Sequence, residues 1–131
     1  MKHVLIMEDN ALLAQEWADV FELNGHKVTL TYNGDDALAH LETTKFDLVV
    51  TDLFVPNKKG GLHIVGKVLT MRRGAPPIIA VTGARRHKDE TDELSFFLRQ
   101  VKSLGVSATL EKPFAAAELL LKADEFWRDR E

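Results

Sequence analysis

At 131 residues the chain has room for one domain around one core and not for a second folded unit. A hydrophobic share of 45% with 28% charged residues argues against a disordered or fibrous chain, and a net charge of -3 offers no general attraction to nucleic acid or anionic lipid. The absence of cysteine excludes disulfides, zinc-thiolate sites and a catalytic thiol.

In chain order, His3 to Met7 is a short apolar run that reads as a strand. It stops at Glu8 and Asp9, far short of an export signal or a spanning helix, so a soluble cytoplasmic protein without membrane contact is expected. Leu13, Trp17, Val20 and Phe21 recur three and four apart and line one face of a first helix, with Asn24-Gly25 as its stop. His26 to Tyr32 alternates polar residues with Val28, Leu30 and Tyr32 and reads as a strand near a sheet edge. Ala37, Leu38 and Leu41 form a shorter helical stripe, and Phe46 to Val50 reads as a strand buried on both faces. A third helix carries Ile64, Val65, Val68 and Leu69, ended by Gly74 and Pro76-Pro77. Pro77 to Val81 is another buried strand. Leu94, Phe97, Leu98, Val101 and Leu104 predict a fourth helix closing at Gly105, followed by an edge strand over Ala108 to Glu111 and a fifth helix from Ala116 to Trp127. The short basic runs Arg72-Arg73 and Arg85-Arg86-His87-Lys88 read as solvated turns and helix ends.

Strands alternating with helices predict an α/β fold, a doubly wound five-stranded parallel sheet with five helices on its two faces, as one domain over 1–131. Ligands of such folds bind past the carboxyl ends of the strands. The residues expected there are Glu8, Asp9 and Asn10 after the first strand, Asp52 after the third, Thr82 after the fourth and Lys112 after the fifth. Crowded carboxylates repel one another, and a hard divalent cation with oxygen ligands relieves that repulsion, so Mg2+ is the expected cofactor. A carboxylate can attack phosphorus, while a metal, a hydroxyl and an ammonium stabilise the phosphoryl oxygens. Each polar residue alone is what any strand end provides, and Asp9-Asn10 also reads as a helix cap. The set of them at four strand ends points to phosphoryl transfer onto a carboxylate.

The stretches VLIMEDN at 4–10, FDLVVTDLFVP at 46–56 with Gly60 beyond, IIAVTG at 78–83 and LEKPF at 110–114 together resemble the response-regulator receiver domain of two-component signalling over essentially the whole chain. The resemblance implies a flavodoxin-like receiver fold in which Asp52 is the phosphoacceptor, Asp9, Asp52 and the backbone carbonyl of Phe54 hold Mg2+ with Glu8 nearby or acting through water, and Thr82 and Lys112 bind the phosphoryl oxygens. It implies a cis peptide bond before Pro113, and a loop after the acceptor that contains Pro56 and Gly60. It implies as well a phosphodonor that is a histidine kinase or histidine phosphotransfer protein, possible contact with a downstream protein target, no direct binding of nucleic acid, and no catalysis beyond self-catalysed phosphoryl transfer and slow autodephosphorylation. The first helix of receivers commonly docks the phosphodonor, which gives Trp17 a second reading as a partly exposed docking residue beside its reading as core.

Three positions depart from the family pattern. Thr109 stands where an aromatic residue is usual, so the family's aromatic switch does not carry over. Thr82 and Lys112 are farther apart than usual by about two helical turns, with the extra residues expected within Arg85 to Ser95. Phe54 is bulky beside the reaction path; it is expected either to flank, with Ala84, the route of a hydrolytic water and slow loss of the phosphoryl group, or simply to pack on a loop. Two other catalytic or carrier classes fit less well. A dehalogenase-like phosphohydrolase needs a second acid where Phe54 stands, and a nucleotide or flavin carrier needs a phosphate loop where Glu8 and Asp9 stand. The alternative function is a receiver that binds protein partners independently of phosphorylation. The five histidines lack metal-ligand spacing.

Overall fold

The central strands of the sheet are apolar because both of their faces are covered. A computed structural model describes residues 1–53, 61–71, 74–83 and 105–129. Its elements are β1 (His3–Met7), α1 (Ala11–Leu23), β2 (Lys27–Thr31), α2 (Gly34–Thr43), β3 (Leu48–Asp52), α3 (Gly61–Leu69), β4 (Ile78–Thr82), β5 (Ala108–Glu111) and α4 (Ala117–Asp129). All strand pairs are parallel, in the order β2-β1-β3-β4-β5. The two segments expected at the edges, β2 and β5, are the edges. The described residues hold four helices; the predicted helix over Leu94 to Leu104 lies outside them, as do Phe54, Pro56, Gly60, Arg72-Arg73, Ala84 and Arg85 to Ser95.

Alternation along each strand divides the core in two. Leu5 and Met7 of β1, Val49 of β3 and Ile78 and Ala80 of β4 pack with Ala37 and Leu41 of α2 and Ile64, Val65 and Val68 of α3. Val4 and Ile6, Leu48 and Val50, and Ile79 and Val81 point the other way, against Trp17, Ala18 and Phe21 of α1 and Leu119, Ala123 and Trp127 of α4. Trp17 is therefore core, with 1% of its surface exposed, and the reading of it as a partly exposed docking residue is corrected. Its ring is needed to fill the layer between α1 and the sheet.

Two strand boundaries also differ from the apolar runs. The third strand is shifted from 46–50 to 48–52, and the fourth from 77–81 to 78–82. Phe46 is buried and lies 4.6 Å from the His3 ring, so it contributes to the core from just outside the ladder. Thr51 and Asp52 stay inside the ladder because they pair with Ala80 and Val81. Backbone pairing, not apolarity, decides where the strands end.

Local chemistry sets the helix ends. Asn10 caps α1 by accepting from the Leu13 amide at 3.1 Å, and Asn33 caps α2 by accepting from the Asp36 amide at 2.8 Å. At the far end of α1 the Gly25 amide donates to the Glu22 carbonyl and the His26 amide to the Phe21 carbonyl, both at 3.1 Å, a Schellman closure. That closure needs the φ of +84° that Gly25 supplies.

His26 follows this turn and packs its ring 4.8 Å from Trp127 and 6.4 Å from Phe21. Its Nδ1 accepts from the Lys2 amide at 3.2 Å, a role open only to an unprotonated nitrogen. Burial lowers the His26 pKa, the chain's terminal amine and Lys2 add to that, and Asp124 and Asp47 oppose it; burial likewise lowers His3. Since the unfolded chain protonates first as pH falls, this part of the stability is complete above about pH 6.5 and is lost below it. Denaturant titrations across that range are expected to show a smaller acid loss for His26→Asn than for the natural chain. Equal losses would discard this account.

Candidate functional site

Strand order reverses between β1 and β3, where a doubly wound sheet opens a crevice at its carboxyl edge. Glu8 continues β1 past Met7: its amide donates to the Thr31 carbonyl at 3.1 Å, and its side chain is fully buried. Asp9 is exposed, and Asn10 starts α1 while donating its amide to Glu8 Oε2 at 2.9 Å. Asp52 is the last residue of β3 and is 4% exposed. One ligand oxygen from each of Glu8, Asp9 and Asp52 lies within 4.8 Å of the others, the one such acidic cluster among the described residues.

Lys112 is delivered from the other side. Its amide donates to the Thr82 carbonyl at 2.9 Å, fixing it at the end of β5 beside β4. From there its side chain crosses to β3 and β1, where Nζ donates to Asp52 Oδ2 at 2.9 Å and lies 2.6 Å from Glu8 Oε1. The peptide bond between Lys112 and Pro113 is cis, as the resemblance implies. Thr82, the last residue of β4, is buried one step beyond Val81, the register partner of Asp52. Thr109 lies on β5 opposite Ala80 and is partly buried.

The electrostatics are those of too many anions in too little water. Burial pushes the Glu8 carboxyl up to about 7; Lys112 and the Asn10 amide act against this, while Asp9 and Asp52 add to it. Burial alone would lower the Lys112 ammonium, but its bonds to Glu8 and Asp52 prevail and raise it. Glu8 Oε1 faces the Lys112 ammonium at 2.6 Å, and Glu8 Oε2 accepts from the Asn10 amide. Three acids with a ligand oxygen each within 4.8 Å of the others, against one ammonium, are a donor set suited to a hard divalent cation.

The structure thus brings Glu8, Asp9, Asp52 and Lys112 into contact and sets Thr82 at the neighbouring strand end; Phe54 lies outside the described residues. Sequence reasoning missed the aromatic side of the site. Trp17 stacks on Phe114 with centroids 5.6 Å apart and rings inclined by 24°, and Lys112 Nζ is 5.8 Å from the Trp17 ring centroid. The signal available was Phe114, two residues past the lysine, facing an aromatic stripe on the first helix.

The chain matches the response regulator receiver domain over residues 4–124. It is 30% identical over 119 residues to the transcriptional regulatory protein DltR of Streptococcus agalactiae, a match covering 91% of this chain and 49% of that protein. Among solved structures it is similar to the receiver domain of the Francisella response regulator 1452, with a TM-score of 0.78, 23% identity and 100% of both chains covered. It is similar also to a CheY-like response regulator receiver domain protein from Methanospirillum hungatei JF-1, with a TM-score of 0.77, 24% identity, and 98% of this chain and 95% of that one covered. At these identities the two structures speak for the fold alone. The chain spans about half the length of the curated relatives it matches. The parallel sheet, the acidic crevice and the match over nearly its whole length agree: the chain belongs to the response regulator receiver domain family.

Proposed function

We propose that the chain is a phosphoacceptor, taking a phosphoryl group onto the Asp52 carboxylate from a histidine kinase or histidine phosphotransfer protein. The observation that supports this most is Lys112 Nζ, 2.9 Å from Asp52 Oδ2 within the cluster that Glu8 and Asp9 share. An Asp52 oxygen attacks phosphorus, a new P–O bond forms, and the P–N bond to the donor imidazole breaks with its electrons leaving on nitrogen. The Lys112 ammonium and the Thr82 hydroxyl take the phosphoryl oxygens. Asp9 and Asp52, with Glu8 nearby, would hold Mg2+, together with the Phe54 carbonyl that the resemblance implies, and the ion would supply positive charge against the acids and the incoming phosphoryl oxygens.

The burial of Asp52 keeps its carboxylate near partners and away from bulk water, which favours transfer over random hydrolysis. The acyl phosphate carries close to two negative units where the carboxylate carried one, and this charge, set on three new oxygens, draws Thr82 and Lys112 toward the acceptor and biases the segments that follow them. Among the described residues no helix is long and apolar enough to cross a membrane. We place this stretch in the cytoplasm, with its output carried by contact with a downstream protein rather than by catalysis on an external substrate or by direct contact with nucleic acid.

Intact mass after incubation with acetyl phosphate is the test. A single phosphoryl adduct is expected with Mg2+, and little or none when the ion is chelated. A chain that takes no adduct under either condition, while still binding a protein partner, would be a receiver that works independently of phosphorylation.

A further inference from the structure

Lys112 has to serve two sets of partners: the carboxylates of Glu8 and Asp52 at rest and, on the function proposed above, phosphoryl oxygens afterwards. Its side chain has four rotatable bonds, and an ammonium released from one anion is free to swing into water. A partner that holds it during the exchange has to attract a cation without competing for it as an anion does. The face of an indole ring has that property, because its negative quadrupole attracts an ammonium over a broad range of positions within about 6 Å.

The Trp17 ring is placed to do this. Lys112 Nζ lies 5.8 Å from its centroid, and Phe114 stacks on it at 5.6 Å. The ring therefore touches both the lysine side chain and the short segment that carries the lysine. Trp17 is fixed in turn by its burial among Val4, Ile6, Val50 and Leu119, so the platform does not move when the lysine does. Filling the core requires only apolar contact from Trp17; the ammonium over its ring is beyond that need. We propose that Trp17 is a positioning residue for Lys112, keeping the ammonium in the crevice as it passes from Glu8 and Asp52 to phosphoryl oxygens. This rests on the phosphoacceptor reading, and it makes α1 part of the machinery through its buried face.

The experiment reads the contact and the chemistry separately. In the isotopically labelled full chain without any phosphodonor, the ε-methylene signals of Lys112 are expected to be displaced upfield by the ring current. The displacement should be largely kept in Trp17→Phe and lost in Trp17→Leu. With acetyl phosphate and Mg2+, Trp17→Leu is expected to slow adduct formation about fivefold at saturating donor, the size of one partly shielded cation–π contact, and Trp17→Phe to recover most of it. Unshifted Lys112 signals in the natural chain overturn the proposal whatever the variants do, and so does an undiminished rate in a folded Trp17→Leu. Shifted signals in a natural chain that takes no adduct overturn the phosphoacceptor reading while upholding the contact.

Discussion

Asp52→Asn is expected to reduce phosphoryl uptake from acetyl phosphate by more than about 10³-fold, the scale of losing a nucleophile, while leaving the fold intact. The side chain it introduces has nearly the same shape, so the buried end of β3 keeps its packing. What changes is charge. A neutral amide oxygen is a poor nucleophile toward phosphorus, and one of three crowded carboxylates disappears. Lys112 loses one anionic partner but keeps Glu8 at 2.6 Å. Relief of repulsion should therefore hold the unfolding temperature at or above that of the natural chain. Mass spectrometry and a thermal melt read both halves. Normal uptake by the variant would move the acceptor to another acid, with Asp9 the exposed member of the cluster.

Phe21→Ala is expected to cost about 3–5 kcal/mol of stability and to lower the melting temperature by roughly 10–20 °C. Phe21 is fully buried, it faces Trp127 at 6.3 Å and His26 at 6.4 Å, and its carbonyl closes the α1 turn. Truncation leaves a cavity between α1, α4 and the sheet that rigid neighbours cannot fill. Leu23, on the same helix but 85% exposed, is the control: Leu23→Ala should change stability by no more than about 0.5 kcal/mol. Similar losses for both substitutions would mean that the layer between α1 and the sheet is not packed as described.

Hydrophobic period made the order of strands and helices legible, because both-face burial leaves continuous runs in β1, β3 and β4 and alternation in β2. The strand ends were less legible. Phe46 looks like strand but is core outside the ladder, while Asp52 and Thr82 look like loop but are the last paired residues of their strands. The acids of the site could be read from their place past the apolar runs, since polarity there needs a reason. The aromatic contact of Lys112 could not, because a tryptophan on an apolar helical stripe reads as core, and it is core. The second reading of Trp17, as a partly exposed docking residue, fails for a related reason. Periodicity gives the side of a helix a residue is on, but not how deeply the opposing layer covers it.

The two half-cores also bear on how this site can change over evolution. In β1, Leu5 and Met7 serve one layer and Val4 and Ile6 the other, and Glu8 and Asp9 follow without a spacer. Adding or removing one residue within this stretch would exchange the two faces of the strand and turn the acids away from Lys112 at once. The chemistry of the crevice can therefore be altered by replacing residues but not by changing the length of β1. Changes of length are expected in the connections between elements instead, where the parity of the strand is not at stake.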